Sequence, residues 1–257
     1  MSMRLEIRQM KAKVLATITA GLMAITSFAA SAADLRVGTH PTFAPFEFLD
    51  SKTREYVGFD IDMINEIGKR AGMDVKLVNM GFDGLIPALM TGSIDIAASG
   101  ITITEERKKK VDFCDPYYRA GQGMMVKAGN ETKFKDVKSL EGRTVAVQIG
   151  TTGAEFAKTI KDAKIKAFNT SAEAFMDLRM GGADAVITDR PVIGYFIVKN
   201  PRAAKGLVQV PVTLDTEFFG YALKKGNTEL LKKVNDALAS MKADGTYDKI
   251  YKKWFGS

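Results

Sequence analysis

Two segments of the chain, about 90 residues apart, share one spacing of leucine, glycine, aspartate and a hydroxyl residue. They read Leu89-x-x-Gly92-x-x-Asp95-x-x-x-Ser99 and Leu178-x-x-Gly181-x-x-Asp184-x-x-x-Thr188. Each is typical of a helix that ends in a tight turn, followed by a short strand and a polar loop. One such turn can occur in any α/β protein, but its repetition favours two lobes of similar design. Ligands of open α/β sheets bind beyond the carboxyl ends of the strands, so we expect ligand groups in these two loops.

The rest of the chain alternates short apolar segments with helical periodicity, which predicts α/β sheets with parallel strands. The predicted strands are 35–39, 75–78, 94–98, 144–149, 183–188 and 218–223. The predicted helices are 61–71, 84–90, 152–160, 172–180, 229–241 and 246–255.

Residues 1–33 have the three parts of a secretory signal peptide. A basic start is followed by an apolar run from Val14 to Ile25, and then by small residues that end at Ala33. This run is shorter than the roughly 20 residues that a membrane-spanning helix needs. We expect cleavage after Ala32 or Ala33 and a mature periplasmic chain of about 224 residues. A retained membrane anchor is the alternative.

Composition excludes several classes of function. The formal net charge of +7 falls to +4 without the leader, which carries four basic residues and one acidic residue, and this is no nucleic-acid signature. Cys114 is the single cysteine and His40 the single histidine, so disulfide, thiolate-zinc and histidine-rich zinc sites lack their parts. A Ser-His-Asp triad would need His40, and no Gly-x-Ser-x-Gly elbow is present. We expect no metal, no cofactor and a monomer.

The stretch from Ser99 to Arg107 is the strongest candidate for ligand binding. A loop of small and hydroxyl residues leads to a helix start at Thr104, and Arg107 follows three residues later. Backbone N–H groups at a helix start favour an anion, and an arginine can hold a carboxylate with two parallel hydrogen bonds. The alternative is a helix cap followed by a solvated run of charges.

Other candidates have equally ordinary alternatives. Asp189 follows a predicted strand and could accept hydrogen bonds from an ammonium group, or it could cap the next helix. Phe43 and Phe82 could wall a ligand, or pack in a core. The segment 150–153 could bind an oxyanion, but it is not a phosphate loop because no Gly-Lys-Ser/Thr follows.

Taken together, five segments resemble the polar amino-acid-binding proteins of ABC importers, solute-binding protein family 3. They are VGTHPTFAPFEF (37–48), GFDID (58–62), GITITEER (100–107), ADAVITD (183–189) and GTYDKIYKKWF (245–255). The resemblance covers essentially the whole mature chain and is greatest to glutamine-binding proteins. It implies a type II periplasmic-binding-protein fold, in which two α/β lobes joined by two hinge strands close on the ligand. It places lobe 1 at 34–117 and 218–257, lobe 2 at 122–213, and the hinges at 118–121 and 214–217.

The resemblance also implies roles for individual residues. The α-carboxylate of an amino acid is expected on Arg107, Thr102 and the backbone of Thr152. The α-ammonium is expected on Asp189 and the carbonyl of Gly100. The remaining matches are the aromatic walls Phe43 and Phe82, and Ser99, which lies at a position used in some relatives.

Three departures concern the far end of the ligand. His40 stands where many relatives have Asp, Gln148 where glutamine binders have Lys, and Thr188 where they have His. We therefore expect glutamine first, then glutamate or another polar amino acid. A basic amino acid is disfavoured because the distal carboxylate is missing.

The expected function is that of the substrate-binding component of an ABC amino-acid importer, with a membrane permease as partner and without catalysis. An enzyme of the cyclohexadienyl-dehydratase type on the same fold is one alternative, in which His40 or Glu47 would serve as general acid. A receptor for a broad range of polar or basic amino acids, or a ligand domain that serves a sensor, are the others.

Overall fold

The computed structural model describes residues 33–256, so the predicted signal peptide lies outside the described residues except for Ala33. The strands are β1 Ala33–Thr39, β2 Thr42–Phe43, β3 Glu47–Leu49, β4 Tyr56–Val57, β5 Met73–Asn79, β6 Ile96–Ala97, β7 Val111–Phe113, β8 Tyr118–Lys127, β9 Thr144–Gln148, β10 Lys164–Phe168, β11 Ala185–Asp189, β12 Leu207–Gln209, β13 Asp215–Phe219 and β14 Ala222–Lys224. The helices are α1 Phe59–Ala71, α2 Leu85–Thr91, α3 Glu105–Lys108, α4 Thr152–Lys158, α5 Ser171–Met180, α6 Arg190–Lys199, α7 Thr228–Ala243 and α8 Thr246–Phe255. Within residues 33–256, none of these helices combines the length and the apolar character that crossing a membrane requires.

The two largest sheets are mixed, and each is the centre of one lobe, whereas β2, β3 and β4 form a small antiparallel sheet. In the first lobe the strand order is β5-β1-β6-β14-β7, with β1 parallel to β5 and β6. In the second lobe it is β10-β9-β11-β8-β12, with β9 parallel to β10 and β11, and with β13 also paired to β8. The α/β prediction with two lobes is therefore confirmed.

The helix α1 illustrates how the sequence pattern builds the first lobe. Ile61, Ile64 and Ile67 share one face and are fully or nearly fully buried, and the helix packs against β5, α7 and α8. It ends at Gly72, whose φ of 68° is a left-handed conformation that glycine adopts at little cost.

The repeated spacing corresponds to the same structure in both lobes. Helices α2 and α5 end at left-handed glycines, and an aspartate then precedes the strands β6 and β11. The carboxylate of Asp95 accepts a hydrogen bond from the backbone N–H of Arg36 at 2.9 Å, and that of Asp184 accepts one from Thr144 at 2.9 Å. In each case the aspartate N–H bonds back to the same residue's carbonyl at 2.8 Å. In each lobe, the repeated aspartate thus connects the start of one strand to the neighbouring strand by two hydrogen bonds.

The predicted strand 218–223 is wrong, because two strands occupy this region. The first, β13, ends at Phe219 and pairs with β8 in the second sheet, whereas β14 begins at Ala222 and joins the first sheet. Between them the Tyr221 ring stacks on Tyr117, with ring centroids 4.3 Å apart. The predicted strand 94–98 is also shorter than expected, since only Ile96 and Ala97 pair with neighbours.

The two connections between the lobes lie side by side. Strands β8 and β13 are antiparallel, with register from Asp215 opposite Gln122 to Phe219 opposite Tyr118. The expected hinges, 118–121 and 214–217, fall almost entirely on this ribbon. We propose that the ribbon is the hinge and that the lobe boundaries lie where the resemblance places them.

Candidate ligand-binding cleft

A small cavity of about 250 Å³ lies between the lobes. It is lined by Phe43, Phe82, Gly100, Thr102, Arg107, Gln148, Thr151, Thr152 and Asp189. Eight of the eleven residues expected at the ligand are therefore brought together, and Thr151 is the lining residue not among them. The other three, His40, Ser99 and Thr188, contact lining residues or the neighbours of lining residues.

Arg107 reaches the cavity from the short helix α3. Its Nη1 donates to the carbonyl of Thr102 at 2.8 Å, and its Nη2 donates to the carbonyl of Gly150, in the opposite lobe, at 3.1 Å. The guanidinium carbon lies 5.7 Å from the centroid of the Phe82 ring. The cap expected at Thr104 is also present, because its hydroxyl oxygen accepts from the backbone N–H of Arg107 at 3.1 Å. Capping and cleft binding are thus compatible.

Burial shapes the electrostatics of Arg107. Desolvation lowers its pKa, and the carboxyl groups of Glu217 and Asp189 oppose that shift. A guanidinium has five N–H donors, and the two bonds above use only two of them. The remaining donors can bind an anion in the cavity, where a charge-assisted hydrogen bond is stronger than in water.

Asp189 ends strand β11 with its side chain in the cavity. It is only 6% exposed, and its Oδ1 has no hydrogen-bond partner among the described residues. Asp189 does occupy the N-cap position of α6, but its carboxylate accepts no bond from the first turn of that helix. Burial raises its pKa, Glu217 adds to the shift, and Arg107 opposes it. A buried carboxylate without a partner costs stability unless a cation or a donor meets it.

The loop at Gly100 is held from below by Asp60. The Oδ2 atom of Asp60 accepts from the Gly100 N–H at 2.8 Å and from the Tyr117 hydroxyl at 2.7 Å. Desolvation raises the pKa of Asp60 to about 7, against the effect of these two bonds. Gly100 has a φ of 53°, and a Cβ atom there would lie 3.1 Å from the Phe43 ring. Only glycine fits this turn without strain, and the turn directs the Gly100 N–H to Asp60 rather than to a ligand.

Glu217, on β13, is a buried residue of the cleft floor that was not expected from the sequence. It is 9% exposed, and its Oε2 accepts from Gln122 Nε2 at 2.9 Å and from the hydroxyls of Thr102 and Thr152 at 3.1 Å each. The only sequence signal is alternation, since Glu217 shares a strand face with the buried Phe219.

The far end of the cavity is a chain of neutral polar groups. His40 Nδ1 lies 3.3 Å from Gln148 Nε2, across the cleft, and 3.3 Å from the Thr42 hydroxyl. The Oε1 atom of Gln148 accepts from the Ser171 hydroxyl at 2.8 Å, and Ser171 lies 3.4 Å from the Thr188 hydroxyl. Burial lowers the pKa of His40, so the ring is neutral near pH 7. His40 and Thr188 therefore act on Gln148 rather than line the cavity themselves.

Ser99 supports the loop beside this chain. Its hydroxyl donates to Glu47 Oε1 at 2.8 Å, and its oxygen accepts from the backbone N–H of His40 at 3.1 Å. Glu47 is fully buried, and burial raises its pKa well above the ordinary value, with the nearby Asp60 adding to the shift. Within residues 33–256, no group of three His, Cys, Asp or Glu side chains is arranged to hold a metal ion.

Two α/β lobes around a small cavity, with a guanidinium and a carboxylate facing it, define a cleft-type binding protein for a small polar molecule. Comparison with known proteins gives the family. The chain belongs to the bacterial extracellular solute-binding proteins, family 3, whose model matches residues 35–257.

Relatives are similar over most of their length. A probable histidine-binding protein of Neisseria gonorrhoeae is 36% identical over 86% of this chain and 82% of its own. The ABC transporter arginine-binding protein 1 of Escherichia coli strain K12 is 35% identical over 93% of this chain and 98% of its own. Both relatives are named for the binding of an amino acid, and the second is named as part of an ABC transporter. With the family match, the chain is a substrate-binding protein of amino-acid ABC transport.

Solved structures agree with this assignment. An ancestral arginine-binding protein bound to arginine has a TM-score of 0.83 and 48% identity, covering 88% of this chain and 100% of its own. The structure described as an ancestral arginine-binding protein bound to glutamine has a TM-score of 0.81 and 48% identity, covering 88% of this chain and 99% of its own. An ancestral amino acid-binding protein described as a precursor of cyclohexadienyl dehydratase has a TM-score of 0.79 and 48% identity, covering 87% of this chain and 96% of its own.

Proposed function

We propose that the protein captures one polar L-amino acid in the cleft and delivers it to a membrane ABC permease. The α-carboxylate binds Arg107 and the backbone N–H groups of Thr102 and Thr152. The α-ammonium binds Asp189 and the carbonyl of Gly100. The observation that carries the proposal is the presence of Arg107 and Asp189 in one closed cavity, each with hydrogen-bonding capacity left over. Their opposite charges match the two ends of a zwitterion.

Glutamine is the ligand that the lining of the far end favours. Gln148 and His40 are neutral, and the cavity lining has no carboxylate at this end. An amide can both donate and accept, as these two side chains can. A charged guanidinium placed there would lose water without gaining an opposite charge, which costs free energy. We expect glutamate to bind more weakly than glutamine, because His40 is neutral and offers no positive charge to the side-chain carboxylate.

Arginine is the second candidate. It is favoured by the excess of carboxyl groups near the end of the cavity that is proposed to bind the α-ammonium and α-carboxylate. Asp189 and Glu217 supply two carboxyl groups against the single guanidinium of Arg107. After a zwitterion binds, one carboxyl group is left without a balancing cation. The names of the relatives agree, since one is an arginine-binding protein and one a probable histidine-binding protein.

We further propose that the protein is exported by its leader, works in the periplasm as a monomer, and is not an enzyme. A relative from Escherichia coli strain K12 is named a histidine-binding periplasmic protein, which supports this location. The dehydratase alternative named His40 or Glu47 as general acid, but Glu47 is buried under Ser99, and the His40 ring nitrogen is already within hydrogen-bond distance of Gln148 and Thr42. Incubation with prephenate or arogenate tests this point, and formation of an aromatic product would overturn the binding-protein proposal.

The deciding experiment is a thermal-shift screen of mature protein that has been unfolded, stripped of ligand and refolded, against the twenty amino acids. A ligand that binds only the folded state stabilises it by about 2.7 kcal/mol at a hundredfold excess over its dissociation constant. We expect glutamine to give the largest shift. A larger shift with arginine would establish the second candidate, and no shift with any amino acid would contradict the proposed function. Competition calorimetry between the two ligands then ranks them directly.

A further inference from the structure

Glu217 lies where the hinge ribbon meets the cleft, and it gathers donors from different parts of the molecule. One carboxylate oxygen, Oε2, accepts three hydrogen bonds, from Thr102, Gln122 and Thr152. Gln122 is on the neighbouring strand β8, Thr102 is in the first-lobe loop after β6, and Thr152 begins α4 in the second lobe. A single atom therefore connects both lobes and both strands of the ribbon.

Thr102 is fixed to the strand that carries Glu217. The N–H of Ile103 donates to the carbonyl of Phe218 at 2.8 Å, and the N–H of Gly220 donates to that of Ile101 at 3.1 Å. These backbone bonds hold the Thr102 loop beside β13. The bond between Thr102 and Glu217 can therefore survive a movement of the second lobe.

Thr152 has no such attachment to β13. Its hydroxyl donates to Glu217, accepts from Gln122 Nε2 at 3.1 Å, and lies 3.3 Å from the hydroxyl oxygen of Thr102. Because Glu217 is held beside Thr102 of the first lobe and Thr152 belongs to the second, separation of the lobes would strain the bond between Thr152 and Glu217, which has no backbone bond to support it. A charge-assisted bond in a site shielded from water is strong enough to shift such an equilibrium.

We propose that Glu217 is a clasp that holds the cleft closed, by binding the hydroxyl of Thr152 across the lobes. It is a positioning residue, and it stabilises the closed state in the absence of ligand as well as in its presence. Because a hydroxyl has one proton, the Thr102 and Thr152 side chains that donate to Glu217 cannot also donate to a ligand carboxylate. Their side chains thus serve closure, and Arg107 and backbone N–H groups are left to bind the ligand. Only this last consequence rests on the proposed function.

The clasp predicts a change in shape that is measured without any ligand. Glu217→Gln removes the charge and retains the size, and Thr152→Val removes the hydroxyl and retains the shape. Small-angle X-ray scattering of refolded, ligand-free protein should give a larger radius of gyration for both variants than for the wild type. The double variant should be no more open than Thr152→Val alone, because Glu217→Gln only weakens, by loss of the charge, the bond that Thr152→Val removes. Circular dichroism verifies that each variant is folded.

Asp215→Asn is the matched control. Asp215 lies on the same strand, is exposed, and its Oδ1 accepts only from the adjacent N–H of Thr216 at 2.8 Å. It should scatter as the wild type does. For the amino acid found in the screen, Glu217→Gln and Thr152→Val should each weaken affinity about tenfold, because binding must then also drive closure.

Several outcomes would overturn the clasp. A wild-type protein that is fully open without ligand, or a Glu217→Gln variant as compact as the wild type, would do so. So would a loss of affinity without any change in scattering, since Glu217 would then act on the ligand and not on the lobes. Failure of every amino acid to bind the wild type would contradict the proposed function, whereas the scattering comparison would still decide the clasp.

Discussion

Arg107 and Asp189 lie at the ends of quite different elements, a short helix in one lobe and a buried strand in the other. Each is shielded from water, and each keeps hydrogen-bonding capacity that the described residues do not use. Such groups weaken a protein unless a ligand supplies the missing partner, so their presence in a cleft indicates binding.

Replacement of Arg107 tests the carboxylate end of the site. Arg107→Ala removes two parallel charge-assisted bonds to the ligand, so affinity should fall at least about thirtyfold, or about 2 kcal/mol. Titration calorimetry with the ligand found in the screen measures this. Lys109→Ala is the control, because Lys109 is exposed next to the same helix and its ion pair is with Glu106 at the surface. Wild-type affinity in the Arg107 variant would remove it from the site.

Asp60 predicts how stability depends on pH. Its pKa is raised to about 7 by burial, whereas an unfolded aspartate titrates near pH 4. Between these values the folded state holds a proton that the unfolded state releases, so the free energy of unfolding should decrease as pH rises from about 4 to about 7. The buried carboxyls of Glu47 and Asp189, whose pKa values are also raised, contribute with the same sign.

The Asp60→Asn variant isolates this contribution. The Asn oxygen can still accept from Gly100 and Tyr117, but the side chain no longer titrates. Urea unfolding of ligand-free protein across this range should give a slope that is shallower by up to about 1.4 kcal/mol per pH unit. Asp236→Asn, at an exposed aspartate paired with Lys232, is the control. Equal slopes in the wild type and the Asp60 variant would refute the assignment.

Helix α5 shows how an element of the second lobe is fixed next to the site. Thr170 caps it, accepting from the N–H of Glu173 at 3.2 Å, and the Glu173 carboxylate accepts from the N–H of Thr170 at 2.9 Å. This reciprocal capping box positions Ser171, the first residue of the helix, to donate to Gln148. A helix cap thereby orients the amide that lines the far end of the cavity.

Loss of this cap should lower the stability of the folded protein. Thr170→Ala should lower the free energy of unfolding by about 1 kcal/mol, measured by urea denaturation, because the backbone N–H of Glu173 loses its acceptor. Thr132→Ala, at an exposed loop threonine, should change it by less than about 0.5 kcal/mol. Equal stability in the two variants would mean that the capping box does not hold in solution.

At the scale of the whole molecule, the cleft is closed by contacts between the lobes. Arg107 donates to the Gly150 carbonyl, and a Cβ atom on Gly150 would lie 3.0 Å from the Cβ of Asp83. Asp83 and Gly150 thus bring the lobes close together at one place, where a covalent link would prevent opening. The native Cys114 is buried, and burial raises its pKa to about 12, so it should not compete for oxidation.

The double variant Asp83→Cys/Gly150→Cys should trap the lobes when it is oxidised. A disulfide needs Cβ atoms about 3.8 Å apart, which a slight opening would provide. Stopped-flow fluorescence should show that the oxidised protein neither takes up nor releases the amino acid at the wild-type rate, and that reduction restores exchange. The reduced form also controls for the strain of a side chain at Gly150, whose φ is 76°. Unchanged exchange after verified oxidation would place the opening motion elsewhere.

The sequence by itself determined the local elements and indicated the two charged residues that are proposed to bind the ligand. Periodicity predicted α1, α5 and α7 to within a few residues. Glycine marked the turns, because it adopts a positive φ at little cost. The repeated Asp95 and Asp184 predicted two similar lobes because their hydrogen bonds connect neighbouring strands in the same way. Arg107 and Asp189 were identifiable because each follows a loop or a strand end of recognisable pattern.

The tertiary structure decided what depends on contacts distant in sequence. The segment 218–223 is uniformly apolar, and only pairing with β8 and then with β6 and β7 divides it into two strands. Glu217 is an ordinary strand residue until folding brings Thr102 and Thr152 to one oxygen atom. Local periodicity indicates which face of a strand is buried. It does not indicate which side chains of the other lobe will contact that face, and those contacts determine how this cleft closes.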